Sequence, residues 1–575
     1  MLWKVNDGHS SECLDSLVQE FGISKILTKL LAQRGISNKE QAESFLKPSL
    51  KNLSDPFEVS YLKQGVEHLS QAIDKKSSVF VFGDYDVDGI SSIVQIVSIL
   101  RIYGLDPSYC VPYRLSEGYG LNREAIDRGL KGSRPDLMIV VDCGTNSKES
   151  IDYLKSLGIY VVIIDHHQLT TELSENCLLI NPHVNDLGRA DSGWFNLSAS
   201  GLVFKFLHGL IKHRKGLNDR IANEIKLSQI IDLAGMGTIA DLVPLQGENR
   251  ILARYALHHL RNNKRLGLLA LLKESRVSNL ATLSSSDISF RIAPRINASG
   301  RLSDASLPVE LLLTDQAEFA QKSAKQLGEL NNERQTIQKK IVEEAESKIN
   351  DFTSAQSAYI LHSEKWHPGV VGIVASRISR KLNRPCLILG NEGEMVKGSG
   401  RSVGGVDLVK ILTECESYLE HWGGHPMAVG VKLPQQNLGA FTKAFNQAMN
   451  DFYPEGIPVP ELDIACWVNF EDIGDELMDE LSLLEPYGQM NPEPILGLKG
   501  VMLKEEAKTF ANVHKRFTLT QKGKLEKVVE GIAWNFKNMP EANELVDLAV
   551  RLEWNTWNYK KTSRVILVDW KKSIL

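Results

Sequence analysis

Asp84, Asp86 and Asp88 alternate in the run VFVFGDYDVDG (79–89), directly after five residues of strand-forming character. Three carboxylates this close repel one another unless a cation neutralises them. The run therefore predicts a metal site at the carboxyl end of a buried strand. The same D-x-D-x-D-G string opens an EF-hand calcium loop. Such a loop needs a bidentate Glu at its last position, here Gln95, and a helix before it, where VFVFG is β-branched and aromatic. A solvated acidic turn is the plainer alternative. Two further apolar runs end in the same way: LMIVVDCG (137–144) reaches Asp142, and YVVIIDHH (160–167) reaches Asp165, His166 and His167. One strand-end Asp is commonly a turn former, but three such ends bearing Asp and His point to a shared site. Asp241 lies inside the apolar run DLAGMGTIADLVPL, where an Asp is rarely buried without a partner. It reads as a further ligand, or as a cap of the turn before Pro244.

These residues need a scaffold, and the chain of 575 residues has room for about three or four domains. Its composition, 43% hydrophobic and 24% charged, is that of a soluble globular protein. A net charge of −5 does not exclude nucleic acid, because one groove can be basic within an acidic total. The 7 cysteines, odd in number and without a C-x-x-C pair, suit a reducing compartment and argue against a disulfide framework or a zinc ribbon. There is no signal-peptide pattern at the N-terminus and no stretch of about 18 apolar residues to span a membrane. The cytoplasm is the expected location.

Residues 1–60 read as a helical lead-in of short amphipathic helices packed on the next domain, with Ser37 as an N-cap and Asp55-Pro56 as a break. From 61 to 314 the chain alternates strand, loop and helix, with SYCVPYR (108–114) as another strand. Near-continuous apolar runs mean strands buried on both faces, hence an α/β domain with a mostly parallel sheet. Ligands in such sheets bind beyond the carboxyl ends of the strands. A long, mostly polar helix is predicted over 315–350, with Phe319, Leu327, Leu330, Ile337, Ile341 and Ala345 at helical spacing, and it reads as a bridge between domains. A smaller α/β domain follows over 351–457. In it, WHPGVVGIVASR (366–377) leads into a helix whose N-terminus can hold a phosphate, and KGSGRS (397–402) sets Ser399 and Arg401 beside glycines that let an oxyanion approach. Short alternating segments over 458–575 predict a small β-barrel of OB type. Trp554, Trp557 and Trp570 there are candidate stacking faces, with core positions the plainer reading.

In order and spacing, D-x-D-x-D (84–88), D-x-G-T (142–145), D-H-H (165–167) and G-T-x-A-D-x-V-P-L (237–245) resemble the four motifs of the DHH phosphoesterase superfamily. PRINASGR (294–301), WHPGVVGIVASR, KGSGRS and GGHPMAVG (423–430) resemble the DHHA1 domain of the RecJ family, and PYGQMNPEP (486–494) resembles the stretch that opens its OB segment. The chain departs from the family pattern at Pro426 and Val429, at Val406, where an aromatic is common, and at Met490, where a glycine is usual.

The resemblance implies a single-stranded-DNA-specific 5′→3′ exonuclease of recombination and repair that releases 5′-mononucleotides. Two divalent ions about 3.5–4 Å apart would activate a shared water and clamp the phosphate. Oxygen ligands with one or two imidazoles suit Mn²⁺ or Mg²⁺, since Cys143 is turned away by strand alternation. Asp86, Asp88, Asp142, His166 and Asp241 are the implied ligands, with Asp142 placed to bridge both ions. Asp84 is a ligand or a partner of the water, and Asp165 orients an imidazole. His167 contacts the phosphate or serves as acid–base, with a hydrogen-bonded spacer as the alternative. Arg114, Arg301, Ser399 and Arg401 form the implied 5′-phosphate pocket, with Tyr119 as a base-stacking platform. His425 is a substrate contact or a backbone-bonded histidine. The implied partners are single-stranded DNA, a RecQ-type helicase and a single-strand-binding protein, with no membrane and a monomeric chain. Two rivals are a DHH enzyme acting on short oligonucleotides, cyclic dinucleotides or pyrophosphate, and a non-catalytic binding protein of the same fold.

Overall fold

The computed structural model describes residues 2–5, 18–114, 117–118, 120–262, 265–277, 279–303, 305–350, 356–521, 524–557 and 560–574. The chain opens on β1 (Leu2–Val5), α1 (Lys25–Ala32) and α2 (Lys39–Leu46). These elements are not grouped with the domain that follows. They form one compact unit with residues 461–575 and the short segment Pro244–Gln246. Strand β1 pairs in parallel with Glu461–Ile464, and Leu27, Leu30 and Leu31 of α1 share a core with Leu477, Met478 and Leu498. An amphipathic face shows that a helix needs a partner without showing which one. The cap of α2 is Asn38, whose Oδ1 accepts from Gln41 N at 2.9 Å, whereas Ser37 N donates to Gln41 Oε1.

The second unit, Ser54–Val243 with Gly247–Pro460, carries the predicted parallel sheet. Its elements begin with α3 (Leu62–Lys75), β2 (Val79–Gly83), α4 (Val87–Ile102), β3 (Ser108–Cys110), β4 (Leu137–Val141), β5 (Tyr160–Ile164) and β6 (Leu178–Ile180). The strands run in parallel in the order β3-β2-β4-β5-β6. Strand β3 stops at Cys110, short of the predicted 108–114. Gly83 pairs with Val141 and Val141 with Ile164, so Asp84, Asp142 and Asp165 leave three adjacent strands at the same level. Helices α5 (Ala199–Gly216) and α6 (Ile231–Ala240) pack on α4. Helix α6 is apolar nearly all round and buried along its length, as a core helix must be. Helix α7 (Gly247–Arg261) lies against α6.

After α8 (Ala293–Leu302), the predicted bridge is one helix, α9 (Ala317–Asn350). Its first half packs on α8 and on the helix Leu266–Glu274. Its last turns bury Ile341, Val342 and Ala345 in the core of a second sheet. That sheet runs β10-β11-β9-β8-β7, built from β7 (Tyr359–His362), β8 (Cys386–Glu392), β9 (Met395–Arg401), β10 (His421–His425) and β11 (Ala428–Pro434). Helix α10 (Val371–Leu382) covers β8 and β9.

In the first unit, β12 (Glu461–Ile464) and β13 (Cys466–Val468) precede β14 (Leu496–Leu503), β15 (Lys508–Phe510), β16 (His514–Gln521), β17 (Lys524–Ala533), β18 (Val546–Trp557) and β19 (Lys560–Lys572). The order β14-β18-β19-β17-β16 returns to β14 through a β14–β16 pairing. That closure removes the sheet edges and makes the expected barrel. Trp554 and Trp570 pack against its core, the plainer of their two readings, while the side chain of Trp557 lies outside the described residues. No described helix is long and apolar enough to cross a membrane.

Met490, which replaces a family glycine, has φ +57°, a left-handed conformation costing a non-glycine residue about 1–2 kcal/mol. Met490→Gly is expected to raise unfolding free energy by about 0.5–1 kcal/mol, seen as a higher urea midpoint. Lys205 on α5 and Glu248 on α7 have side chains 3% and 6% exposed and pair at 2.8 Å. Lys205→Met strands a buried carboxylate and is expected to cost about 3–5 kcal/mol. Adding Glu248→Gln should recover part of that loss in the same urea titration.

Candidate metal centre and anion pocket

Two of the acidic side chains that follow β2 are held by backbone amides. Asp86 is the N-cap of α4, its Oδ1 accepting from Asp88 N at 2.9 Å and Gly89 N at 3.2 Å. Asp88 accepts from Ala199 N at 2.7 Å and Ser200 N at 3.0 Å, at the positive end of α5. Gly89 is required because a Cβ there would lie 2.4 Å from Asp84 O, and Gly237 because one would lie 2.6 Å from Asp88 Oδ1. Asp142 takes φ +59°, the kind of backbone strain that persists where surroundings over-determine a functional residue.

These chains converge. His166 Nε2 lies 3.5 Å from Asp142 Oδ1, 3.5 Å from Asp241 Oδ2 and 4.0 Å from Asp88 Oδ2. Three groups have mutually close ligand atoms: Asp84–Asp86–Asp142, Asp88–His166–Asp241 and Asp142–His166–His167. Burial, then the neighbouring Asp86, pushes Asp84 and Asp142 well above the usual carboxylate range. Burial and Asp86 push Asp88 up to about 6. Burial and Asp88 raise Asp241. Burial and the adjacent His167 drive His166 down to about 3, so its ring is neutral and can act as a ligand. Asp84 Oδ1, His166 Nε2 and Asp241 Oδ2 are buried without a hydrogen-bond partner. Crowded carboxylates and partnerless donor atoms aimed at one another fit bound divalent cations. An oxygen-rich set with imidazole and no thiolate fits Mn²⁺ or Mg²⁺. Cys143 is indeed turned into the apolar core behind the sheet.

Asp165 serves the loop instead. Its Oδ1 accepts from His166 N at 2.7 Å and from His167 Nδ1 at 2.7 Å, and its Oδ2 from Thr145 Oγ1 at 2.6 Å. Burial opposes ionisation of Asp165, but His167 and these donors outweigh it and hold the carboxyl well below its ordinary range. Burial likewise opposes charge on His167, yet Asp165, Asp241 and Asp84 lift it to about 9. Fully buried Asn181 donates to His167 O and Thr145 Oγ1, both at 2.9 Å, and His183 Nδ1 meets His166 O at 2.5 Å. The motifs D-x-G-T and D-H-H did not flag Asn181 or His183, which lie in the short segment after β6.

A cavity of about 570 Å³ opens between the two sheets of this unit. Arg114, Arg301, Ser399 and Arg401 all line it, together with Tyr85 and the first turn of α10. Arg401 donates to Ser399 Oγ at 2.7 Å. Burial, then Arg114, lowers the pKa of both Arg301 (to about 10) and Arg401. The cations thus crowd one another as the carboxylates do. Helix α10 has no side-chain cap at its N-terminus, leaving its first amides to an anion. Tyr85 stands between Asp84 and Asp86 in sequence and under the Arg114 guanidinium, 5.1 Å from its ring centre. It joins the two sites and was not singled out from sequence. His425 is solvent-exposed at the end of β10 and does not line the cavity, although Gly423 and Gly424 do. Tyr119 lies outside the described residues.

Residues 78–238 match the DHH family, N-terminal domain; residues 353–451 the DHHA1 domain; and residues 464–569 the RecJ OB domain. The chain is 31% identical over 577 residues to the single-stranded-DNA-specific exonuclease RecJ of Bacillus subtilis, covering 99% of this chain and 70% of that one. It is 30% identical over 482 residues to RecJ of Escherichia coli, covering 82% of each. The crystal structure of RecJ in complex with Mn²⁺ from Thermus thermophilus superposes with a TM-score of 0.82 at 27% identity, over 100% of this chain and 80% of that one. A second structure of that protein contains Mg²⁺. With its motifs in register, its three domains in order and similarity along nearly its whole length, this chain belongs to the RecJ family.

Proposed function

We propose that this chain is a metal-dependent exonuclease that degrades single-stranded DNA from its 5′ end and releases 5′-mononucleotides. The observation that carries this reading is the adjacency of a carboxylate–imidazole cluster and an arginine-lined cavity, with Tyr85 lining the second while flanked by ligands of the first. A terminal phosphate is the one group of a nucleic-acid strand that carries extra charge, and the cavity offers guanidinium forks, a serine hydroxyl and free helix amides to receive it. A strand anchored there presents its first internal phosphodiester to the acidic cluster.

Asp84, Asp86, Asp88, Asp142, His166 and Asp241 would hold the ions. Asp142 and His166 each belong to two of the three ligand groups and would tie those groups together. When bound, two divalent ions supply a water of lowered pKa and neutralise charge on the scissile phosphate. Neutral His166 lends its Nε2 to that set. His167, fixed by Asp165 at Nδ1, holds a proton at Nε2 for a phosphoryl oxygen. Arg114, Arg301, Ser399 and Arg401 bind and align the 5′ end.

Single strands labelled at the 5′ or the 3′ end, incubated with Mn²⁺ or with EDTA, test the reading. The 5′ label should leave first, as a mononucleotide, and only with metal; early loss of the 3′ label, or turnover in EDTA, would overturn it. Efficient digestion of dinucleotides but not of long strands would favour the small-substrate rival. Asp142→Asn is expected to lower turnover at least about 100-fold and to abolish the rise in thermal midpoint that Mn²⁺ gives the wild-type protein. Arg401→Ala should cut the preference for 5′-phosphate over 5′-hydroxyl ends about 10–100-fold while keeping the Mn²⁺-induced rise.

A further inference from the structure

The long helix α9 buries one stripe along its length: Ala320, Ala324 and Leu327 in its first half, Ile341 and Ala345 in its second. In the middle, where the helix passes from the first lobe to the second, the stripe turns polar. Asn331 is 1% exposed and Arg334 9% exposed, and Gln338 follows one turn on. Arg334 bonds neutral groups of its own helix, Asn331 Oδ1 at 2.8 Å and Gln338 Oε1 at 3.3 Å, and its Nε has no partner. On the facing helix α8, Arg295 donates to backbone carbonyls of Arg291 and Glu274 while its Nε is also partnerless, as is Asn297 Oδ1. Arg334 lies within electrostatic reach of Arg301 on one side and Arg295 on the other. Among the described residues, no carboxylate forms an ion pair with any of the three. Burying a guanidinium in a helix interface without an anion is costly, and an apolar residue would continue the stripe. The cations are therefore arranged for something that is not part of the chain.

We propose that Arg334, with Arg295, forms a second anion subsite that receives an internal phosphate of the strand whose 5′ end occupies the Arg114–Arg301–Arg401 cavity. The proposal rests on the exonuclease reading above. Arg301, which lines the cavity and lies within electrostatic reach of Arg334, is the group common to both subsites. The subsite reads backbone charge, not bases, and so has no sequence preference.

Anisotropy of labelled oligo(dT), 5′-phosphorylated or 5′-hydroxyl, measured in EDTA across a salt series with the full chain, tests it. Arg334→Met should weaken both oligonucleotides about tenfold and reduce the log–log salt slope by about 0.7, the signature of one lost phosphate contact on a single strand. Arg334→Lys should keep the slope. Arg401→Ala should instead narrow the gap between the two ends. Without DNA, Arg334→Met should melt at the wild-type temperature or above it. An unchanged slope and affinity beside a wild type that binds overturns the subsite and leaves the exonuclease reading standing. A lowered midpoint with an unchanged slope overturns it as well, in favour of a purely structural arginine. A wild type that binds neither oligonucleotide overturns both readings.

Discussion

Acidic side chains from three strand or helix ends crowd the neutral imidazole of His166 beyond the parallel sheet, and the charged ring of His167 is tied to Asp165. Like charges in a low-dielectric site repel strongly, and the chain answers only by fixing geometry. Asp86 and Asp88 are tied to helix amides, Asp142 is held in left-handed backbone, and Asp165 is spent on the DHH loop. Such a site is complete only with divalent cations present. The rest of the second unit, from strand register to buried α6, serves to keep those oxygens from moving apart.

The neighbouring cavity has the opposite imbalance, a cluster of arginines in place of carboxylates. Tyr85, flanked in sequence by two of the carboxylates, lies under the Arg114 guanidinium where the two clusters meet. Holding like charges together in each of two buried clusters is expensive for folding. Stability is thereby traded for affinity, as functional sites commonly do.

Much of this was legible beforehand. Apolar runs ending in Asp announced a parallel sheet, and parallel register then placed Asp84, Asp142 and Asp165 at one level without further information. Glycines around Ser399 and Arg401 singled out a stretch that the structure places on the wall of the cavity. The illegible parts share a cause: they depend on partners distant in sequence. Nothing in the first 53 residues says that their apolar faces belong with the C-terminal barrel. Asp165 was expected to orient an imidazole, but which of two adjacent histidines turns toward it is decided by Asn181 and His183 from another loop. His425 sat in a glycine-rich context like that of Arg401, yet it is exposed at the end of its strand and does not line the cavity. Arg334 was hidden because a mostly polar helix gives no reason to ask which of its charges is buried.

One continuous helix, α9, carries both lobes of the second unit. An α-helix advances about 1.5 Å and turns about 100° per residue. Inserting or deleting a single residue in its middle would therefore swing the arginine-bearing half around its axis and out of phase with the acidic half. The connection acts as a gear as well as a spacer, and its length tolerates change only in steps near a whole number of turns. Homologous chains that vary elsewhere by loops of any size should keep this segment's length almost fixed.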